Sequence, residues 1–402
     1  MIPALLFAQT PEGLHIPLSM LIVFASAKLL AELFERFGQP GIVGEILAGV
    51  LIGPSVLGWI TPDELLRSLG DLGVMFLLFR VGLEVKPDEL MKLGGTAAFV
   101  ATCGVIVPMI MGWGIMALWG YSTIESVFVG ASMVATSVGI TASVLSAKGL
   151  LHERSSKIIL AAAVIDDVLG LLVLASVSSI ARGSVNIWEI AITTVLAIGF
   201  VVVIAMWGNK AMGRIVPRVQ NLRVAEAEYA LAMVLLFALS VLAVYVGVAA
   251  IVGAFFAGMA LAGTVPQRVN DLAHGSSELL VPFFLAGIGL RIDLGAFHSG
   301  STILLAIVIL IAAVVSKCLG CGLSSLPLGK KDAIRIGVGM IPRGEVGMVV
   351  AQLGLTMGAI SQPVYGVVVF KAVASTIVAP PLLNIAFRGV EPKNAVANFT
   401  YI

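Results

Sequence analysis

The chain has 402 residues, of which 59% are hydrophobic and only 12% charged, and its formal net charge is +1. A soluble globular domain carries about 25% charged residues, so this composition belongs to a polytopic membrane protein. The near-zero net charge excludes the basic footprint of a nucleic-acid-binding protein. Three cysteines in apolar runs (Cys103, Cys318 and Cys321) argue against a disulfide framework or a zinc site.

The amino terminus, MIPALLFAQTPEG, lacks the basic start of a signal peptide, so the whole chain is expected to be mature membrane protein. From there the apolar stretches, bounded by Pro, Gly and charge clusters, predict about thirteen transmembrane helices of ~20 residues. Their centres lie near residues 26, 49, 76, 106, 135, 168, 197, 236, 256, 284, 311, 344 and 375. With the N-terminus outside and the C-terminus cytoplasmic, the cytoplasmic connections collect 16 Lys and Arg residues against 3 on the outer side. That asymmetry sets the expected orientation of a multi-pass inner (plasma) membrane protein.

The chain repeats itself. IVGEILAGVLIG (42–53) resembles IVGAFFAGMALAG (251–263), and VMFLLFRVGLEV (74–85) resembles VPFFLAGIGLRI (281–292). The offsets are 209 and 207, in the same order, and seven predicted spans separate the partners. An odd separation gives the two halves opposite topology, and inverted-topology repeats are a signature of secondary transporters. Interrupted helices are expected at matching places: ATSVGITASV (135–144), around Gly139, and GMIPRGEVGMVV (339–350), where Pro342 and Gly344 break a span that holds charges at its middle. Two such crossed broken helices would gather backbone dipole ends around an ion site near the midplane.

Charge inside the spans is scarce and therefore informative. The only deep aspartates are the adjacent Asp166 and Asp167, in AAVIDDVLGLLVLA (162–175). The deep glutamates are Glu45, Glu84 and Glu345, and the deep cations Arg80, Lys317, Arg343 and Lys371. Neighbours on a helix diverge by about 100°, so one aspartate can face a cavity while the other meets a cation on another helix. A carboxylate that takes either a proton or a hard monovalent cation, but not both, exchanges the two by competition.

Taken together, GQPGIVGEILAGVLIGP (38–54), LLFRVGLE (77–84), ATSVGIT (135–141), AAAVIDDVLGLLVLA, SKCLG (316–320) and GMIPRGEVGMVVA resemble the cation:proton antiporter superfamily, and most closely its electrogenic NapA-type Na+/H+ antiporters. The match runs from about residue 16 to 388. The resemblance implies an all-α NhaA/NapA-like fold working as a homodimer. Its dimerisation domain would comprise the spans near 16–58 and 224–264, and its mobile core domain roughly 63–181 and 275–388. It implies Asp167 as the essential ion-binding carboxylate and Asp166 as its partner, salt-bridged to Lys317 when no sodium is bound. Thr136 and Ser137 match the unwound part of the first broken helix, while Arg343 and Glu345 match the second as structural charges. No cofactor and no soluble regulatory domain after residue 402 are expected.

Two residues depart from the family pattern: Arg80 and Lys371 stand where apolar residues are usual. Arg80 is expected to pair with Glu84 at i, i+4, and Lys371 to snorkel from the end of its span. His152 is expected to be an ordinary solvated histidine on the cytoplasmic side.

The expected activity is exchange of Na+ (or Li+) for H+ by alternating access, without enzymatic chemistry. An intramembrane aspartyl protease needs carboxylates facing each other from different helices, and no second deep aspartate exists outside 166–167. A cation channel would line a filter with a ring, which one asymmetric Asp–Asp/Lys cluster does not supply. A sodium-coupled symporter of an organic anion would not need Lys317 opposite Asp166. K+/H+ exchange remains open at this point.

Overall fold

The computed structural model describes residues 14–85, 87–181, 187–220, 222–292 and 299–390. Among these residues the chain forms sixteen α-helices and no strand. The first six are α1 (His15–Arg36), α2 (Gly41–Ile52), α3 (Glu64–Glu84), α4 (Pro87–Leu118), α5 (Thr123–Ser132) and α6 (Val138–Ala147). Then come α7 (Arg154–Ala181), α8 (Ile187–Val203), α9 (Asn209–Val219), α10 (Ala227–Tyr245) and α11 (Ala250–Leu261). The last five are α12 (Gln267–Leu290), α13 (Gly300–Lys317), α14 (Lys330–Gly339), α15 (Glu345–Thr356) and α16 (Gln362–Ala386). Seven helical stretches are long and apolar enough to cross a membrane, and four shorter apolar helices (α2, α6, α11 and residues 346–356) accompany them. An all-helical body suits hydrocarbon because each helix satisfies its own backbone polar groups.

Local signals set several ends. Asp63 caps α3 by accepting from the Leu66 amide at 2.8 Å, and Ser299 caps α13 by accepting from Thr302 at 3.2 Å. Ser122 and Glu125 form a reciprocal capping box at the start of α5. One π-helical turn (Ile204–Gly208) joins α8 to α9, and another (Cys318–Gly322) follows Lys317 at the end of α13.

The helices pack as two groups. Helices α1, α2, α3, α10, α11 and α12 lie mainly against one another, and α4, α5, α7 and α13–α16 form the second group, with α6 touching α3, α7 and α16. Within the first group glycines let backbones meet. A side chain at Gly49 would run into the carbonyl of Ala286, and one at Gly289 into that of Ile46. In the other half Gly258 meets the carbonyl of Phe79, and Gly82 that of Phe255. Moving each residue by the repeat offset converts the first pair of contacts into the second. Approach this close requires the absence of a Cβ.

The repeat mates α3 and α12 also cross each other. Gly73 lies against Leu280 and Gly70 against Phe283 and Phe284, while Arg80 lies beside His274 and Glu278, so the two helices run antiparallel.

Two sequence expectations are corrected. Arg80 reaches across to the Ser146 hydroxyl on α6, with His274 at 3.5 Å and Glu278 at 3.9 Å, rather than folding back on Glu84. Glu84 instead faces His152 at 3.8 Å. Lys371 does not snorkel: it is fully buried mid-helix in α16, and its ammonium donates to the Ser132 carbonyl at 2.7 Å and hydroxyl at 3.3 Å. In both cases a long side chain found a partner on another helix, which spacing along one helix cannot reveal.

Candidate functional site

The site begins with the two interruptions. Helix α5 ends at Ser132 and α6 starts at Val138; α14 ends at Gly339 and α15 starts at Glu345. The intervening segments cross and bond to each other. The Ser137 amide donates to the Pro342 carbonyl at 2.7 Å, and the Thr141 hydroxyl donates to the Gly339 carbonyl at 2.6 Å. The Thr136 hydroxyl reaches the Met340 carbonyl at 3.4 Å. Gly344 lies so close to Ser137 that a Cβ there would sit 2.8 Å from its hydroxyl oxygen. Pro342 removes a donor and Gly344 removes a side chain, and together they allow the crossing.

Arg343 ties this crossing to its surroundings. One guanidinium nitrogen donates to the carbonyls of Val134 at 2.9 Å and Ala135 at 3.5 Å, and another to Ala313 of α13 at 3.1 Å. Its backbone amide donates to the Ser375 hydroxyl of α16 at 3.1 Å. A planar fork with five donors suits three carbonyls, two from the break after α5 and one from α13. Glu345 opens α15, and its side chain lies outside the described residues.

Helix α7 brings Asp166 and Asp167 against these breaks, and both are buried. Asp166 receives the Lys317 ammonium on both oxygens, at 3.2 and 3.1 Å, and neither side chain is exposed at all. The space for that ammonium has a visible origin. Lys317 is the last residue before the π-helical turn, and it faces Gly104 of α4, where a Cβ would lie 3.2 Å from the Lys317 nitrogen. Gly320 in the same turn packs on the Cys103 carbonyl. Such turns within helices recur at functional sites.

Asp167 points elsewhere. It lines a cavity of about 220 Å³ together with Thr136, Ser137, Asp71, Val74 and Phe284. Asp71 and Phe284 also line a small hollow with Arg67 and Arg291, and those arginines line a cavity of about 820 Å³ beyond it. A separate cavity of about 790 Å³ enters from the other end, past Lys28, Glu45, Glu278 and Lys148, and reaches Ser143 and Val144. Between the two lies a buried apolar cluster that includes Ile46, Val74, Ile140, Phe284, Leu285 and Val373.

Thus all the charges expected at the site whose side chains are described converge on one pair of crossed breaks. The two aspartates separate as helix geometry requires: one meets a lysine in a dry core and the other a cavity with two hydroxyls. Asp71 was not among the expected site residues; in the sequence it is an aspartate one turn before the repeated segment in α3.

The family model described as "Sodium/hydrogen exchanger, transmembrane" matches residues 20–389. The chain is 32% identical over 380 residues to the Na+/H+–K+ antiporter GerN of Bacillus cereus, covering 92% of this chain and 96% of that relative. It is 31% identical to the high-affinity Na+/H+ antiporter NhaS3 of a Synechocystis species, covering 94% of this chain and 91% of that protein. Among solved structures it is similar to the sodium proton antiporter MjNhaP1 of Methanocaldococcus jannaschii, with a TM-score of 0.72, 18% identity, and coverage of 94% of this chain and 97% of that one.

Proposed function

Because this chain belongs to the transmembrane sodium/hydrogen exchanger family, we propose that it exchanges Na+ or Li+ for H+ at Asp167 by alternating access. One observation carries the assignment: of two adjacent buried aspartates, Asp166 is held by Lys317 while Asp167 lines the cavity with Thr136 and Ser137. A carboxylate on the wet side can hold a proton or, with the neighbouring hydroxyls, a sodium ion.

Lys317 would supply the second proton. A sodium ion that draws Asp166 away from Lys317 strips the ammonium of its counter-charge in a dry site, and isolated charges there are unfavourable. Lysine can then release its proton, whereas arginine in proteins stays charged. Two protons against one sodium move one net charge, which a potential of 100 mV drives with about 2.3 kcal/mol.

Alternating access would move the second helix group against the first, opening the cavity at Asp167 to one end and then the other past the apolar cluster. The packing of α3 and α12 with α2 and α11 supports assigning them to the static group, although the sequence-based division starts the core at 63. Counting each broken pair as one span, and α8 with α9 as another because a π-helical turn joins them, supports thirteen crossings in two inverted repeats, with the N-terminus outside. A homodimer would form mainly through α1 and α10, whose outer faces hold exposed apolar residues such as Leu29 and Val234. The name of GerN, a Na+/H+–K+ antiporter, supports K+ as a further substrate to test.

The test is proton flux in proteoliposomes given Na+, Li+ and K+ in turn. Wild type should move protons on cation addition, and Asp167→Asn should insert and fold but move none. Robust exchange by that variant would remove Asp167 from the site. Lys317→Gln with Asp166→Asn, which avoids a lone buried charge, should exchange electroneutrally; a wild-type current per sodium moved would show that another group carries the second proton.

A further inference from the structure

The register between the repeat mates α3 and α12 extends beyond the glycine motif. With the same offset of 207, Asp71 of α3 corresponds to Glu278 of α12, and Arg67 corresponds to His274. Each half therefore places a carboxylate four residues after a basic side chain, in RSLGD (67–71) and HGSSE (274–278). Because the helices are antiparallel, the two carboxylates fall on opposite sides of the Gly73–Leu280 crossing. Asp71 lines the cavity that reaches Asp167, and Glu278 lines the cavity from the other end, with no lining residue common to the two.

Simple i, i+4 ion pairing does not account for them. Glu278 is 57% exposed and has Lys28, Arg80 and His274 at 3.7, 3.9 and 3.8 Å, all too long for hydrogen bonds. Asp71 is exposed in its cavity. Among the described residues, neither is held by a direct hydrogen bond to a basic side chain, and both line cavities that lead toward the middle of the protein.

We propose that Asp71 and Glu278 are repeat-related capture carboxylates, each receiving the monovalent cation at its own mouth and handing it toward Asp167. This inference rests on the antiporter reading. The two mouths differ in what would remain after neutralisation. Outside Asp167, Asp71 is the only carboxylate among the described lining residues of its pathway, which also presents Arg67 and Arg291. Glu278 shares its mouth with Glu32, Glu35 and Glu45. Removing Asp71 leaves two arginines facing an incoming cation; removing Glu278 still leaves three glutamates beside Lys28 and Lys148. A cleft of one sign concentrates the opposite charge, so the first change should be the larger.

The experiment measures Na+-dependent proton movement in right-side-out and inside-out vesicles that carry the full chain, so that each face is titrated with Na+ separately. Asp71→Asn should raise the KM for Na+ by about tenfold on one face only, the scale of one unit charge near contact distance at a wet site. The kcat and the KM on the other face should stay near wild type. Glu278→Gln should raise the KM on the opposite face, by about threefold because three acidic neighbours remain. Asp71→Glu should restore most of the loss, and added inert salt should shrink both effects. A change of equal size on both faces, both variants acting on the same face, or an unchanged KM in well-expressed variants would overturn the proposal. Absence of exchange by wild type in the same vesicles would instead refute the antiporter reading.

Discussion

The two interrupted helices end their first halves in opposite ways. Where α5 stops, its carbonyls meet cations: Lys371 on Ser132, and Arg343 on Val134 and Ala135. Where α14 stops, its carbonyls meet neutral donors: Thr141 on Gly339, Thr136 on Met340 and the Ser137 amide on Pro342. A helix C-terminus carries roughly half a negative charge, which needs an answer in a low-dielectric interior. The cationic answers are fully buried and do not line the cavity at Asp167, whereas Thr136 and Ser137 do. At the two breaks, fixed positive charge thus stays on the dry side. On the wet side the helix end is satisfied without introducing a cation that would repel sodium.

Substitutions can break this contrast, beginning with its strongest member. Arg343→Met should remove about 3–5 kcal/mol of stability, because it leaves carbonyls from two segments unanswered in a dry core. The expected readout is a large drop in melting temperature and loss of a monodisperse peak in detergent. An unchanged melting temperature would mean that α5 does not need its cation. Thr141→Val deletes one short hydrogen bond and should cost about 1–2 kcal/mol, seen as a melting temperature lower by several degrees with Na+ KM near wild type.

The smallest stability change is expected at Thr136→Val, whose bond to Met340 is long at 3.4 Å. It should alter stability by less than about 0.5 kcal/mol while raising the KM for Na+, since Thr136 lines the cavity. Equal destabilisation by the two threonine variants, with KM unmoved in both, would reduce the neutral side to a purely structural device.

How much of this was legible in the sequence depends on range. Each of the thirteen hydropathy centres lies on a helix, or on a break between two at 135 and 344, because the cost of burying backbone in hydrocarbon writes long apolar runs into the chain. The second break was marked by Pro342 and Gly344, whereas the first lies at 133–137, just ahead of the expected centre at Gly139, which is helical; the two aspartates were marked by their sheer improbability in such a run. The repeat offset also held down to single glycine contacts, since only glycine permits two backbones to touch.

Partner choice between helices was legible only where the family resemblance supplied it, as for Lys317 on Asp166. Arg80 had a plausible partner one turn away in Glu84 and took Ser146 and Glu278 instead; Lys371 had an apparent route to the surface and was buried on Ser132. Asp71 reads in sequence as an ordinary polar residue two turns into α3, and its match to Glu278 gains meaning only from the cavity it shares with Asp167. The sequence by itself determined which segments are helices, where two of them break and which charges are costly enough to need a reason. The tertiary structure decided which charge meets which, because crossing points between helices are set by close packing among residues far apart in the chain, and a long side chain takes whichever partner that packing brings within reach.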